Sequence, residues 1–197
     1  MSFLDIQTQT GWGRALASFA EWCQPQAGWL ALDVGCGPGL LPALLAQHGC
    51  QAFGVDLDLK SLQNRLHVGL AQADALSLPF PAQTFHLVTA SNLLFFLPDP
   101  VGALAEMGRV LRPGGQVAAL NPSEQMSVAA ATALADLHGL QGLARDSLVD
   151  WARRAEANHR WGEAELVALF AAAGLKVTGM ELKVGPGLAR FVRGIKQ

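Results

Sequence analysis

The run from Trp29 to Gly39, W-L-A-L-D-V-G-C-G-P-G, limits what this chain can fold into more than any other stretch. Trp29, Leu30, Ala31, Leu32 and Val34 lead into a turn with glycines at 35, 37 and 39, and a helical pattern from Leu40 to His48 follows. A parallel strand covered on both faces reads as a near-continuous apolar run, not as an alternation. Such a strand, a glycine turn and a helix in succession form the ligand-cradling unit of doubly wound α/β folds. Glycine is needed where the backbone turns with φ > 0 or where a ligand touches the main chain. The helix start beyond it offers free N–H groups and a partial positive charge to an anionic group.

The glycine spacing narrows the ligand. A dinucleotide fingerprint has the form G-x-G-x-x-G, whereas this turn is G-x-G-x-G with Pro38 before the last glycine. Asp33, two residues before the first glycine, suits a cationic amino group better than a pyrophosphate. The turn resembles motif I of the class I S-adenosylmethionine-dependent methyltransferases, whose cofactor carries an α-ammonium at its methionine end. The resemblance implies cofactor contacts from Asp33, Gly35, Cys36, Gly37 and Gly39.

Composition bounds the alternatives. At 197 residues, with 51% hydrophobic and 15% charged, the chain reads as one folded domain and not as a disordered one. A net charge of −2 provides no global footprint for nucleic acid, so a nucleic-acid partner is not expected. Cys23, Cys36 and Cys50 form no C-x-x-C, so neither a disulfide framework nor a metal site is expected. The start of the chain is unlike a signal peptide, and no apolar run approaches the roughly 20 residues of a membrane span. A cytoplasmic protein is the expectation.

Further landmarks arrive in order. Residues 1–10 are polar and are expected to be mobile. Trp12, Leu16, Phe19, Ala20 and Cys23 fall three or four apart, on one face of a helix. That helix either packs at the sheet edge or, as the resemblance implies, lies over the cofactor with Trp12 in a lid. Cys50–Val55 reads as a second strand ending in Asp56-Leu57-Asp58. A carboxylate at this point accepts hydrogen bonds from both ribose hydroxyls and donates none. Asp56 is therefore assigned to the ribose, Asp58 to capping a helix over 59–68, and Leu57 to the adenine face.

A third strand over 69–73 precedes Ala73 to Phe80, A-D-A-L-S-L-P-F, which resembles the family's A-D-A-x-x-L-P-F. There Asp74 and the backbone N–H of Ala75 are implied to read the adenine edge; a plain Asp-initiated turn is the competing reading. A fourth strand, 85–90, runs into S-N-L-L-F-F-L-P-D-P, then a helix from Val101 to Leu111 closed by Arg112-Pro113-Gly114-Gly115. This block resembles the type 11 small-molecule methyltransferases, which include quinone-biosynthesis C-methyltransferases. Ser91 joins the implied cofactor contacts. Many relatives carry histidines where this chain has Phe95 and Phe96, and Asp where it has His86. The change implies a more apolar pocket floor and a hydrophobic acceptor.

After a fifth strand over 116–120, residues 123–160 are alanine-rich and helical in pattern. In the resembling family an insertion here covers the active site and sets substrate choice. Leu134, Leu148 and Trp151 supply apolar faces, and Arg153-Arg154 reads as a solvated helix face in preference to an anion site. A helix over 163–173, a strand over 174–178 and an antiparallel strand over 188–195 complete the pattern.

Right-handed crossovers then give a doubly wound, Rossmann-like α/β domain with a seven-stranded sheet ordered 3-2-1-4-5-7-6. Its parts are an N-terminal cap (1–27), a cofactor-binding core (28–121), a substrate insertion (122–160) and a C-terminal helix with two strands (161–197). The implied activity is methyl transfer from S-adenosyl-L-methionine to a small apolar metabolite. The sulfonium is reactive enough for in-line displacement, so placing a nucleophile suffices and no catalytic residue is assigned, His138 and His159 included. The alternatives are an RNA or protein methyltransferase, against which no N-P-P-Y-type tetrapeptide follows the fourth strand, and a non-catalytic adenosyl-binding protein.

Overall fold

The computed structural model describes residues 3–62, 66–67 and 69–196. Two helices, α1 (Phe3–Gln9) and α2 (Gly11–Trp22), precede β1 (Leu30–Val34), α3 (Leu40–Gln47), β2 (Gln51–Asp56), β3 (Leu70–Gln72) and β4 (Phe85–Ser91). A short 3-10 turn, Leu94–Phe96, leads to α4 (Pro100–Val110) and β5 (Leu111–Pro122). The insertion forms α5 (Val128–Leu137) and α6 (Gly142–Glu156), and α7 (Glu163–Ala172), β6 (Leu175–Lys183) and β7 (Ala189–Lys196) close the chain.

The seven strands form one sheet in the expected order, β3-β2-β1-β4-β5-β7-β6. β7 runs antiparallel to both of its neighbours, while the other pairings are parallel. The strand period of two sorts side chains between two cores. Leu32 and Val34 of β1 join Val88 and Ala90 of β4 beneath Leu104 and Met107 of α4 and Phe170 of α7. On the opposite face, Ala31, Leu87 and Leu120 lie against Leu16 and Phe19 of α2 and Leu41 and Leu45 of α3. A third cluster, including Met126, Ala131, Ala152 and Leu188, holds the insertion to the β6–β7 turn.

Capping explains several boundaries. The Thr10 hydroxyl accepts from Trp12 N–H (3.1 Å) and starts α2. Asp99 accepts from Gly102 N–H (2.8 Å), with Pro100 at the first helical position of α4.

Several expectations are corrected. The N-terminal segment is ordered as α1: the Thr10 hydroxyl also donates to Ile6 O (2.6 Å), and Gln7 is buried. Of the helix expected over 59–68, residues 63–65 and 68 lie outside the described residues, and 59–62 form turns. Arg112-Pro113-Gly114-Gly115 opens β5 instead of forming a separate loop, and the ladder to β4 is irregular between Phe85 and Leu87. Among the described residues no helix is long and apolar enough to cross a membrane.

Phe170 is fully buried, with Cδ1 only 3.0 Å from where a Cβ on Gly194 would lie. Phe170→Ala is expected to cost about 3–5 kcal/mol. Urea denaturation would measure this, and a loss below about 1 kcal/mol would contradict the packing described.

Candidate functional site

The chain leaves β1 through the glycine turn, and that turn is tied to β2. Gly35 N–H (2.8 Å) and Cys36 N–H (3.0 Å) both donate to Val55 O, and Gly39 N–H donates to Cys36 O (3.0 Å). Gly37 N–H donates to Asp56 Oδ2 (2.8 Å), and Asp58 N–H to Asp56 Oδ1 (2.9 Å). The amides of Gly35, Cys36, Gly37 and Gly39 are thus spent inside the protein. Gly35 has φ +75°, and a Cβ on it would lie 3.0 Å from Leu93 Cδ1; Gly39 has φ +88°, and its Cβ would lie 2.7 Å from Leu70 Cδ1. Close approach as well as backbone conformation therefore demands glycine at both.

Asp56 keeps spare acceptor capacity, because each carboxylate oxygen has about two lone-pair sites and one is used by a backbone amide. It faces a cavity of about 820 Å³ beyond the carboxyl ends of the parallel strands, where open α/β sheets bind ligands. Gly35 and Ser91 share that wall. The Ser91 hydroxyl is buried without a hydrogen-bond partner among the described residues. Trp12 and Arg14 of α2, Leu134 and His138 from α5 and its end, Leu148 and Trp151 of α6, and Val184 and Gly185 of the β6–β7 turn form further walls. A second concavity, about 730 Å³, lies between α7 and β6, and none of the expected site residues lines it.

Asp33 sits behind this wall, almost fully buried, and accepts from the Thr89 hydroxyl (2.8 Å). Burial pushes its carboxyl up to about 8; the Thr89 hydrogen bond opposes the rise and the nearby Asp56 adds to it. No cationic side chain pairs with it among the described residues. Cys36 is buried, its thiol directed at Gly37 O (3.5 Å), and burial pushes its pKa up.

Asp33, Cys36, Gly37, Gly39, Leu57, Asp74 and Ala75 are not among the described residues that line the cavity. Leu57 is exposed and Ala75 is buried in the core. Asp74 Oδ1 accepts from Leu76 N–H (2.9 Å), so it builds an Asp-initiated turn. Asp58 likewise accepts from Lys60 N–H (2.9 Å).

A residue not singled out in the sequence, Arg109 of α4, anchors the 73–80 loop. It donates to Phe80 O and Leu78 O (2.9 Å each) while paired with Glu106 (2.7 Å). The spacing of Glu106 and Arg109, three apart on a helix, was the available signal.

The expected apolar floor is half correct. Phe96 lines the cavity, but Phe95 is buried in the core with its ring 3.9 Å from that of Phe96. Arg154 also lines the cavity, paired with Asp150 (2.7 Å). His138 lies on the cavity wall, and His159 pairs with Glu165 (3.2 Å) at the surface. His86 stacks on Trp29 (5.8 Å) and accepts from Leu30 N–H, a packing role. Among the described residues no cluster of three or more His, Cys, Asp or Glu could hold a metal. The wall that could hold an adenosyl cofactor therefore comprises Asp56 with free acceptor sites, the orphaned Ser91 hydroxyl, and a buried, cation-free Asp33 behind them. Asp56 and Ser91 fit a ligand bearing hydroxyl donors, and a cationic group brought near Asp33 would favour its ionised form.

Comparison with known proteins agrees with this geometry. Residues 32–137 match the model of a family described as a methyltransferase domain. The chain is 34% identical over 132 residues to aklanonic acid methyltransferase DauC of Streptomyces sp. (strain C5), covering 60% of this chain and 58% of that protein. It is 37% identical over 101 residues to the ubiquinone biosynthesis O-methyltransferase of Pseudomonas fluorescens (strain SBW25), covering 46% and 43%. It thus spans about half the length of the relatives it matches. In fold it is similar to magnesium protoporphyrin IX methyltransferase (ChlM) from Synechocystis PCC 6803, with TM-score 0.68 and 15% identity over 100% of this chain and 89% of that one.

Asp33 makes stability depend on pH. Its folded pKa lies above its unfolded value, so its contribution is full below about pH 4 and is lost as pH rises towards about 8. Asp33→Asn removes this dependence. The stability of the variant relative to the parent should increase from pH 5 to pH 8 and stop changing above that. Urea midpoints at several pH values test it, and a constant difference would show that Asp33 is ionised in the fold.

Proposed function

This chain belongs to the methyltransferase-domain family, and from that premise we propose that it transfers a methyl group from S-adenosyl-L-methionine to a small, largely apolar metabolite. The observation that carries the reading is one cavity with two unlike walls. One wall holds Asp56 and Ser91 at the strand ends, and the rest includes Trp12, Phe96, Leu134, Leu148 and Trp151, with Arg14, Asp150, Arg154 and Lys183 also lining it. The names of the two relatives concern aklanonic acid and ubiquinone biosynthesis, and only the small-molecule class is carried over from them.

In this reading Asp56 accepts from the two ribose hydroxyls through the acceptor sites its backbone partners leave free. Ser91 donates or accepts at the cofactor's edge, and an α-ammonium bound in front of the turn would draw the Asp33 carboxyl, raised to about 8 by burial, towards its ionised form. The bound cofactor supplies an electrophilic sulfonium methyl. The chain's part is to orient the two reactants and keep water away, and alignment within about 3–3.5 Å accounts for several kcal/mol of barrier without an acid or base. The apolar walls around the acceptor space serve both ends.

Calorimetric titration with S-adenosylhomocysteine and, separately, with NAD tests the cofactor. Binding of the first and not the second is expected; no binding of the first would overturn the reading. Asp56→Ala should weaken S-adenosylhomocysteine by about tenfold or more, since each hydrogen bond to a charged acceptor contributes about 1.5–3 kcal/mol. Ser91→Ala should separate binding from folding. Affinity should fall by about threefold to tenfold, while stability stays level or rises because a buried unpaired hydroxyl has been removed. Equal losses in both would place the Ser91 hydroxyl in the fold and not in the site.

A further inference from the structure

Among the described residues four non-glycine positions have positive φ: Gln24, Gln83, Asn92 and Val184. Two of them, Asn92 and Val184, line the cavity. Asn92, with φ 52°, follows Ser91 directly, and its N–H donates to Leu120 O (2.8 Å). Asparagine tolerates the left-handed region better than most residues, at some cost. The conformation aims Asn92 Oδ1 at Trp151, whose indole Nε1–H donates to it at 3.0 Å across 59 residues of sequence.

Trp151 is held on its other side as well. Its ring meets that of Trp12 edge to face, with centroids 5.0 Å apart and planes at 66°. It packs against all three hydrophobic clusters of the described residues. One indole therefore joins the insertion, the N-terminal cap and the end of β4.

We propose that Trp151 is a specificity-determining wall of the acceptor space and that Asn92 is the residue that positions it. This rests on the methyltransferase reading above. A ring held by a hydrogen bond at its edge and by an aromatic partner loses little freedom when an apolar ligand packs on it, so it binds as a preformed surface. Because Asn92 adjoins Ser91, the same bond sets the distance between the wall that receives the acceptor and the wall that holds the cofactor. An acceptor whose apolar body rests on Trp151 is thereby placed relative to the transferred methyl.

The test uses the full chain and a fluorescent apolar anion, 1-anilinonaphthalene-8-sulfonate, titrated with and without saturating S-adenosylhomocysteine. Trp151→Phe keeps a ring and removes the N–H. Asn92→Gly keeps the left-handed backbone without strain and removes the acceptor, so folding is not at risk. Each should weaken the probe by about threefold to tenfold, the effect of one hydrogen bond. The double variant should be no weaker than the poorer single one, because both changes cut the same bond. Asn92→Asp, which restores an acceptor in a residue that tolerates this backbone, should recover parental affinity. In each single variant S-adenosylhomocysteine should lose less affinity than the probe does, and an equal or larger loss would place the Asn92–Trp151 pair in the cofactor wall instead.

The proposal is overturned if the parent binds no probe, if the variants bind it as the parent does, if the two effects multiply, or if Asp does not rescue. Failure of the parent to bind S-adenosylhomocysteine would instead remove the methyltransferase reading. The probe series without that compound would still decide whether Asn92 positions Trp151.

Discussion

The carbonyl oxygen of Val55 accepts from the amides of both Gly35 and Cys36, and the neighbouring Asp56 carboxylate accepts from Gly37. This knot ties the turn after β1 to the end of β2, and much of the rest of the site depends on it. It sets the conformation that brings the glycines against Leu93 and Leu70, where a Cβ would collide. It also sets the direction of the Asp56 carboxylate, by using one acceptor site on each oxygen and leaving the others open. The turn acts here as a rigid bracket for an acidic side chain more than as a cradle of free amides.

Around that bracket, the two halves of the cavity are built by different means. The strand-end half comes from parallel ladders, with β1 lying between β2 and β4 in register, so that Gly35, Asp56 and Ser91 converge where three adjacent strands end. The other half comes from packing between segments far apart in the chain. α1 seats so closely on α2 that a Cβ on Gly13 would lie 2.5 Å from Gln7 O, and a Cβ on Gly185 in the β6–β7 turn would lie 2.6 Å from Leu134 Cδ1. Trp151 stands where those surfaces meet. A ladder places residues by backbone hydrogen bonds of fixed pitch, whereas the packed half is set by the shapes of side chains.

That difference explains which residues could be read in advance. Asp56 leaves a local mark, a polar residue closing an apolar strand, whereas Ser91 is singled out only by the family resemblance; both line the cavity. Asp74, which the resemblance implies reads the adenine edge, accepts from Leu76 N–H through Oδ1 and builds an Asp-initiated turn, with acceptor sites left on the carboxylate. Phe95 and Phe96 read alike as neighbours in sequence, but the 3-10 turn that carries them sends one into the core and leaves the other on the cavity. α1 leaves little sign in the sequence because seven residues carry too little periodicity; its order comes from contact with α2 and α6. Asn92 left only a weak mark, its own tolerance of a left-handed backbone, and Val184 left none.

The sequence by itself determined the strand order, the glycine turn and the acidic residue at the end of β2, because these follow from hydrophobic period, glycine spacing and the handedness of crossovers, all local or topological constraints. The tertiary structure alone decided which side chains face one another across the cavity. The Trp151–Asn92 bond, the Trp12–Trp151 contact, the burial of Asp33 against Thr89 and the grip of Arg109 on Leu78 and Phe80 each join residues distant in sequence. Their geometry is the outcome of filling shared volume and satisfying buried polar atoms together, and no short stretch of sequence carries that information.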